Sequence, residues 1–156
     1  MVDLVAELEA VSGSLHADGV EFALCGGLAV AVHGHVRATK DIDLLIPSAS
    51  RDAALGALAK VGYDVPALPM TFGAGTPTER RVQRVSKLAD QGIVTVDLVF
   101  VEPAFREAWA TRQTFERGEA RLVVVSRDGL LAMKRLAGRT QDLADIEALE
   151  GGGGDV

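Results

Sequence analysis

Three aspartates lie in stretches of sequence that predict buried β-strands. Asp41 and Asp43 belong to a predicted strand at 41–46, and Asp97 lies inside the β-branched run IVTVDLVFV at 93–101. Alternate side chains of a strand share a face, so Asp41 and Asp43 point the same way, and a neighbouring strand can bring Asp97 beside them. Close carboxylates repel each other unless a cation lies between them. Such oxygen ligands suit Mg²⁺ or Mn²⁺ shared with a phosphate, so the pattern predicts metal-dependent phosphoryl or nucleotidyl transfer.

A Gly-Gly pair, Gly26 and Gly27, follows a predicted first strand at 21–25 and leads into a short predicted helix at 28–33. Because glycine has no side chain, phosphate oxygens can approach the backbone N–H groups that begin such a helix. The same turn is also typical of close structural packing. The Asp-x-Asp strand that follows it favours the nucleotide-binding interpretation.

The rest of the chain predicts helices and strands that position these residues. Apolar residues have helical spacing at 2–17, 51–61, 103–109, 127–137 and 142–150, and strand patterns occur at 63–65, 81–86 and 122–125. The strands at 81–86 and 93–101 predict a hairpin, and the Pro-, Gly- and Thr-rich residues 66–78 predict a loop that could act as a lid. The predicted fold class is α/β (α+β): a mixed, mostly antiparallel sheet with helices behind it and the three aspartates on one face.

Length and composition fit one globular domain. The chain has 156 residues, 48% of them apolar, and we expect a single domain at 1–150 and a flexible Gly-rich tail at 151–156. A single cysteine, no bilayer-length apolar run and no signal-peptide pattern predict a cytoplasmic protein without membrane contact. The net charge of −6 disfavours general nucleic-acid binding. It does not exclude a local basic patch, which would consist of Arg37, Lys40, Arg80, Arg81 and Arg84. The alternative is that these residues are ordinary surface charges.

Other candidate residues have structural explanations. His33 and His35 could be metal ligands, but at the end of a short helix they do not share a face, so helix capping or surface contacts are favoured. Cys25 is expected to be a small core residue. Arg139, Asp142 and Asp145 could recognise a substrate or form an ion-pair network between the last two helices. The signatures of P-loop, dinucleotide-binding, zinc-protease and serine-hydrolase proteins do not occur in the sequence.

The combination of motifs resembles a known superfamily. GG, a short helix, HG-x-x-R-x-T-x-DIDLLI and the later VDLVF are similar to the nucleotidyltransferases with the DNA polymerase β-like catalytic fold. More narrowly, the chain resembles their small bacterial members, such as the AbiEii-type toxins, and residues 131–149 are similar to the closing helices of that group. The resemblance implies metal-dependent transfer of a nucleoside monophosphate from an NTP to a hydroxyl acceptor.

The resemblance also implies roles for individual residues. Asp41 and Asp43 match the pair that binds the metal ions, Mg²⁺ or Mn²⁺, and Asp97 matches the third carboxylate, which helps to bind the catalytic metal and to activate the acceptor hydroxyl. The predicted nucleotide-binding residues are Gly26, Gly27, Arg37, Thr39, Lys40 and Lys134.

The resemblance leaves the acceptor and the partners open. The acceptor could be a small molecule, a tRNA or a protein, and the chain could be the toxin of a toxin–antitoxin pair. A homodimer or a cognate antitoxin could complete the cleft. A non-catalytic binding partner or antitoxin-like module with the same fold is the alternative, although such a module has no physical reason to retain three mutually repelling acids.

Overall fold

The computed structural model describes residues 2–90 and 92–152, which fold into six α-helices and eight β-strands. The helices are α1 (Leu4–Ala17), α2 (Gly26–Val32), α3 (Arg51–Ala59), α4 (Arg106–Ala110), α5 (Arg127–Ala137) and α6 (Thr140–Gly152). The strands are β1 (Ala23–Cys25), β2 (Asp41–Ile46), β3 (Val65–Pro66), β4 (Met70–Phe72), β5 (Arg80–Ala89), β6 (Gly92–Phe100), β7 (Gln113–Arg117) and β8 (Ala120–Val124). Within these ranges no helix combines the length and the apolar character needed to cross a bilayer.

All eight strands belong to one mixed sheet with the order β3-β5-β6-β2-β1-β8-β7, and β4 pairs with β5. The pairings of β2 with β6 and of β1 with β8 are parallel. The other pairings are antiparallel, including the β5–β6 hairpin. The predicted mixed, mostly antiparallel sheet with flanking helices is therefore confirmed.

The central strand β2 separates an apolar face from an acidic one. Ile42, Leu44 and Ile46 are fully buried, whereas Asp41 and Asp43 alternate with them and are only partly buried. Because side chains alternate along a strand, these two sets point to opposite sides of the sheet. Helices α1 and α3 contact each other, and their buried side chains join the same apolar core as β2. This packing fixes β2 rigidly beneath its aspartates.

Two strands form where the sequence predicts none. β4 lies inside the predicted loop 66–78, and β7 lies in a polar stretch that has no strand pattern. β4 has three residues and pairs only with β5, and β7 forms a hairpin with β8. Strands of this kind form because a neighbouring strand offers hydrogen-bonding partners, so their own sequence carries little signal. The interpretation of all of 66–78 as a loop was wrong for Met70–Phe72 and for Pro66, the last residue of β3.

The bounds of α2 and α6 also differ from the prediction. α2 begins at Gly26 instead of residue 28, and α6 begins at Thr140 and continues through Gly151 and Gly152. Gly151 and Gly152 are therefore helical, where the sequence predicted the start of a flexible tail. The remainder of that predicted tail, residues 153–156, lies outside the described residues.

Candidate active site

The three aspartates meet on one face of the sheet. β2 and β6 run parallel and in register, so that Asp43 is the direct neighbour of Asp97 and Asp41 is the neighbour of Thr95. Directly paired residues of adjacent strands point to the same face. Asp97 is 8% exposed although it is a charged side chain. The structure therefore brings together the three acids that the sequence singled out.

The proximity of these acids changes the protonation of Asp43. Burial, followed by the charges of Asp97 and Asp41, raises the pKa of Asp43 to about 7, and Lys134 and Arg139 only partly oppose this. Burial and the two neighbouring acids therefore disfavour the ionised form of Asp43. A cation bound beside these carboxylates would favour it.

The raised pKa of Asp43 predicts a pH dependence of stability. Because the folded state holds this proton more tightly than the unfolded chain does, its stabilising contribution is present at low pH and is lost as pH rises. In a chelator-containing buffer, we expect the free energy of unfolding to fall between pH 5 and 7 by up to about 1.4 kcal/mol per pH unit. Urea unfolding at several pH values measures the slope. Asp43→Asn should flatten it, and equal slopes in both proteins would contradict the assignment.

Arg84 holds Asp97 from the neighbouring strand. The two residues are direct partners in the β5–β6 hairpin. The Arg84 guanidinium donates two hydrogen bonds to the carboxylate, at 2.9 Å from Nε and 3.0 Å from Nη2. The sequence predicts Arg84 only as a member of a local basic patch and does not reveal its pairing with Asp97. Alignment of the hairpin strands across the turn at Asp90 could have revealed this register.

The donor set at the acidic face fits a hard divalent cation, with one rearrangement. Carboxylate oxygens are the ligands that Mg²⁺ and Mn²⁺ prefer, and a cation bound there would favour the ionised form of Asp43. Across 2–90 and 92–152, however, no three His, Cys, Asp or Glu side chains stand close enough together to hold one ion as they are. The acids must therefore move closer together to share an ion, and Asp97, whose two oxygens each accept one hydrogen bond from Arg84, retains lone pairs for it.

The glycine turn lies directly against the acids. Cys25, the last residue of β1, pairs with Asp43, and Gly26 follows with a φ of +67°. A Cβ at Gly26 would overlap the Asp43 carboxylate, and a Cβ at Gly27 would lie 2.7 Å from Thr39 Oγ1. Gly26 requires glycine because both its backbone conformation and the space exclude a side chain, whereas at Gly27 only the close approach of Thr39 does so. The backbone of this turn therefore lines the cleft beside Asp43 without a covering side chain.

Gly26→Ala is expected to destabilise the fold and displace Asp43. The left-handed conformation and the overlap with Asp43 together should cost about 2 kcal/mol of unfolding free energy. The matched control is Gly56→Ala, because Gly56 lies within α3 with open space around it. Alanine there should stabilise the helix by up to about 1 kcal/mol. Urea unfolding of both variants measures the difference, and equal effects would show that Gly26 has no special role.

Several predicted nucleotide-binding cations are engaged with acids of α6. The Asp145 carboxylate accepts hydrogen bonds from Arg37 at 2.7 and 2.8 Å and lies 2.9 Å from Lys134 Nζ. Asp142 accepts from Lys134 at 3.0 Å and from Arg139 at 2.7 Å. Burial alone would raise the pKa of Asp145, but the hydrogen bonds from Arg37 and Lys134 outweigh it and lower the pKa. The ion-pair network that was one of two interpretations of the closing segment is therefore present.

The other sequence candidates occupy different surroundings. Thr39 lies against Gly27, and Lys40 is an exposed residue that also lines the cleft. Cys25 is 2% exposed and belongs to the apolar core, as expected for a structural residue. His33 Nε2 lies 2.8 Å from the Val125 carbonyl oxygen, which ties the end of α2 to the segment after β8. His33 therefore has a structural contact and stands apart from the acids.

A cleft of about 750 Å³ connects the glycine turn, the three aspartates and the basic residues. It extends across the sheet from Gly26 and Gly27 to the outer strands β4 and β5. Charged side chains of β2, β5 and α5 line the cleft together with apolar side chains, which include Met70, Phe72 and Val82 on β4 and β5 and Leu130 and Met133 on α5. A volume of this size accommodates a nucleotide or a drug-sized ligand. The arrangement can hold a phosphate chain beside three carboxylates and leaves room for a second substrate.

The chain is similar to known nucleotidyltransferases. The family model described as nucleotidyl transferase AbiEii toxin, type IV toxin–antitoxin system, matches residues 9–155. The lincomycin-bound structure of the lincosamide antibiotic adenylyltransferase LnuA is 16% identical with a TM-score of 0.61, over 93% of this chain and 95% of that one. A putative nucleotidyltransferase from Thermotoga maritima is 12% identical with a TM-score of 0.64, and the match covers 95% of this chain and 92% of that one. The structure of ANT(2'')-Ia in complex with adenylyl-2''-tobramycin is 11% identical with a TM-score of 0.57, and the match covers 94% of this chain and 87% of that one. No curated protein matches the chain.

Proposed function

The chain belongs to the nucleotidyl transferase AbiEii toxin family, and we propose that it moves a nucleoside monophosphate from an NTP to a hydroxyl group of an acceptor. One observation carries the proposal: Asp43 and Asp97 are direct neighbours on parallel strands, immediately beside the Gly26-Gly27 turn. The acceptor oxygen bonds to the α-phosphorus, the bond from that phosphorus to the β-phosphate oxygen breaks, and pyrophosphate leaves. The acceptor proton passes to Asp97.

Each acidic residue has a proposed role in this reaction. Asp41, Asp43 and Asp97 would hold Mg²⁺ or Mn²⁺, which when bound neutralises the carboxylates and the phosphates. Asp97 additionally orients the acceptor hydroxyl and receives its proton. Its burial supports this role, because water that would compete with the acceptor is largely excluded. The two hydrogen bonds from Arg84 hold this carboxylate in place, and its remaining lone pairs are available to the metal and the acceptor.

The residues near the glycine turn have proposed roles in binding the NTP. The backbone N–H groups of Gly26 and Gly27 bind phosphate oxygens, and Thr39 and Lys40 extend this site along the cleft. Arg37 and Lys134 are held by Asp145, so their contribution is to keep positive charge at fixed positions near the phosphates. Fixed charges stabilise a developing anion well because they need no reorganisation during the reaction.

The acceptor, the cellular role and the partners also belong to the proposal. The acceptor is a small molecule, a tRNA or a protein, and the family membership supports action as the toxin of a toxin–antitoxin pair. We further propose that residues 1–150 work as one domain in the cytoplasm, where NTPs are available. A homodimer or a cognate antitoxin could cover the open side of the cleft. The alternative is a non-catalytic module with the same fold.

A labelling experiment separates these possibilities. The protein is incubated with each radiolabelled NTP, Mg²⁺ and a cell extract, and the products are divided into protein, RNA and small-molecule fractions. We expect label from at least one NTP in one fraction, and none with the Asp43→Asn variant. Absence of label from every fraction, together with absence of Mg²⁺-dependent nucleotide binding, would favour the non-catalytic module.

A further inference from the structure

The outer end of the cleft has a surface of unusual composition, which we term the acceptor-side wall: Met70, Phe72, Arg80, Val82 and Val99. In the sheet, Met70 pairs with Val82, Phe72 pairs with Arg80 and Val82 pairs with Val99. The neighbouring pair of Arg84 and Asp97 continues this row. Because paired and alternate residues share a face, the wall lies on the same face as the catalytic acids.

Arg80 is the cationic member of the wall, and its side chain is incompletely bonded. Its guanidinium carbon lies 5.6 Å from the centroid of the Phe72 ring, in cation–π contact. Its Nε is buried, and among the described residues it has no hydrogen-bond partner. A buried donor without a partner is unfavourable, because it has lost its hydrogen bonds to water. Rotation of the guanidinium onto an anionic ligand would remove this cost, because Nε and a terminal nitrogen can donate together to one anion.

Most other basic residues around the cleft have acidic partners within the chain, and among the described residues the exposed Lys40 is the exception. Arg84 binds Asp97, and the adjacent Arg81 binds Glu102 at 2.6 Å on the opposite face of β5. Arg37, Lys134 and Arg139 bind the acids of α6. Arg80 differs from these residues because, in the described part of the chain, it makes no ion pair. It is therefore available to a ligand.

The charge of the cleft favours an anionic ligand. Its lining contains six basic residues, Arg37, Lys40, Arg80, Arg84, Lys134 and Arg139, and four acidic ones, Asp41, Asp43, Asp97 and Asp142. Metal ions on the aspartates would make the cleft still more positive. A polycationic acceptor would meet unfavourable charge there, whereas an acceptor with a negative group would be attracted.

We infer that the acceptor-side wall binds a hydroxyl acceptor that carries a phosphate beside a planar ring. The phosphate binds Arg80, and the ring packs on Phe72 and Met70, which are respectively exposed and partly buried. Aromatic side chains are common platforms for flat rings, with a contribution that depends little on the identity of the ring. A free nucleotide and the end of an RNA strand both have this chemistry. The inference rests on the proposed function, because it names the acceptor class of the same cleft.

The test measures binding to the full chain with the NTP site already filled. The protein is first titrated with an α,β-methylene NTP and Mg²⁺, using whichever of the four bases binds most tightly. At saturation of that analogue, calorimetry measures the affinity for AMP, adenosine, a short RNA oligonucleotide with a free 3′-hydroxyl, and tobramycin. We expect AMP to bind roughly 10-fold more tightly than adenosine, because one charge-assisted interaction is added. We expect tobramycin to bind more weakly than AMP.

The variants connect this preference to the wall. Arg80→Gln should remove the advantage of AMP over adenosine, and Phe72→Leu should weaken both ligands by a similar factor. Arg81→Gln is the matched control, because it removes the adjacent arginine from the other face of the strand, and it should leave both affinities unchanged. Unchanged affinity for the NTP analogue shows that each variant is folded. If Arg80→Gln does not fold, Arg80→Lys retains the charge but loses the Nε donor and should reduce the AMP advantage.

The outcomes separate the inference from the proposed function. If the analogue does not bind the unaltered protein, the proposed function fails and the inference fails with it. If the analogue binds, three results overturn the inference alone: equal affinities for AMP and adenosine, tighter binding of tobramycin, or an AMP preference that survives in Arg80→Gln. Tighter binding of the oligonucleotide than of AMP would identify a strand end as the phosphate source. Equal binding would identify a free nucleotide as sufficient.

Discussion

Asp43→Asn is expected to reduce nucleotidyl transfer by on the order of 10³-fold, because it removes a carboxylate on which metal and phosphate binding depends. The substitution preserves the shape of the side chain, so the fold should remain. It also removes the charge that Asp97 and Asp41 repel and that burial disfavours. We therefore expect a gain in unfolding free energy of up to about 3 kcal/mol near neutral pH without metal.

Loss of activity together with a gain in stability is a specific combination. A substitution that merely damages the protein would lower both quantities. The measurements are the initial rate with the NTP identified by labelling and the urea unfolding curve. Asp52→Asn is the control, because the Asp52 side chain is 93% exposed and should affect neither quantity. Full activity in Asp43→Asn would refute the role assigned to Asp43.

Lys134→Met is expected to cost about 3 kcal/mol of unfolding free energy, because two buried acids lose the cation that they share and retain only Arg37 and Arg139 as partners. Lys134 is 6% exposed and contacts both Asp142 and Asp145, at 3.0 and 2.9 Å. A domain of ordinary stability has only about 5–15 kcal/mol in total, so the loss should be visible as a large fall in the urea midpoint. The matched control is Arg135→Met at the next position, where a half-exposed pair with Glu150 should contribute less than about 1 kcal/mol.

The same variant distinguishes two roles for Lys134. If its main role were to bind the nucleotide, Lys134→Met would raise the KM for the NTP and leave stability close to that of the unaltered protein. If its main role is structural, stability falls first, and Lys134→Arg restores part of it because a charged partner for both acids returns. A loss of stability smaller than that of Arg135→Met would exclude the structural role.

The predictions that depended on local pattern were accurate. The strand Asp41–Ile46 and the helix Arg127–Ala137 have the predicted bounds, and Ser126 caps that helix by accepting from the Gly129 N–H. The family resemblance, taken from the motifs around Gly26, Asp41 and Asp97, is confirmed by the family model over residues 9–155. These features were readable because they depend on residue spacing, strand alternation and capping, which are encoded within a few neighbouring residues.

The features that the sequence did not reveal depend on distant parts of the chain. β4 is a strand because β5 offers it hydrogen-bonding partners, and Arg84 reaches Asp97 because the hairpin register places them opposite each other. Arg37 lies 108 residues from Asp145, yet the two form a bidentate ion pair. A long charged side chain has many possible partners in sequence, and only the fold selects one of them. The sequence alone determined which residues could perform the chemistry. The tertiary structure decided which basic side chains form ion pairs with acidic ones, because that pairing depends on distances between elements far apart in the chain.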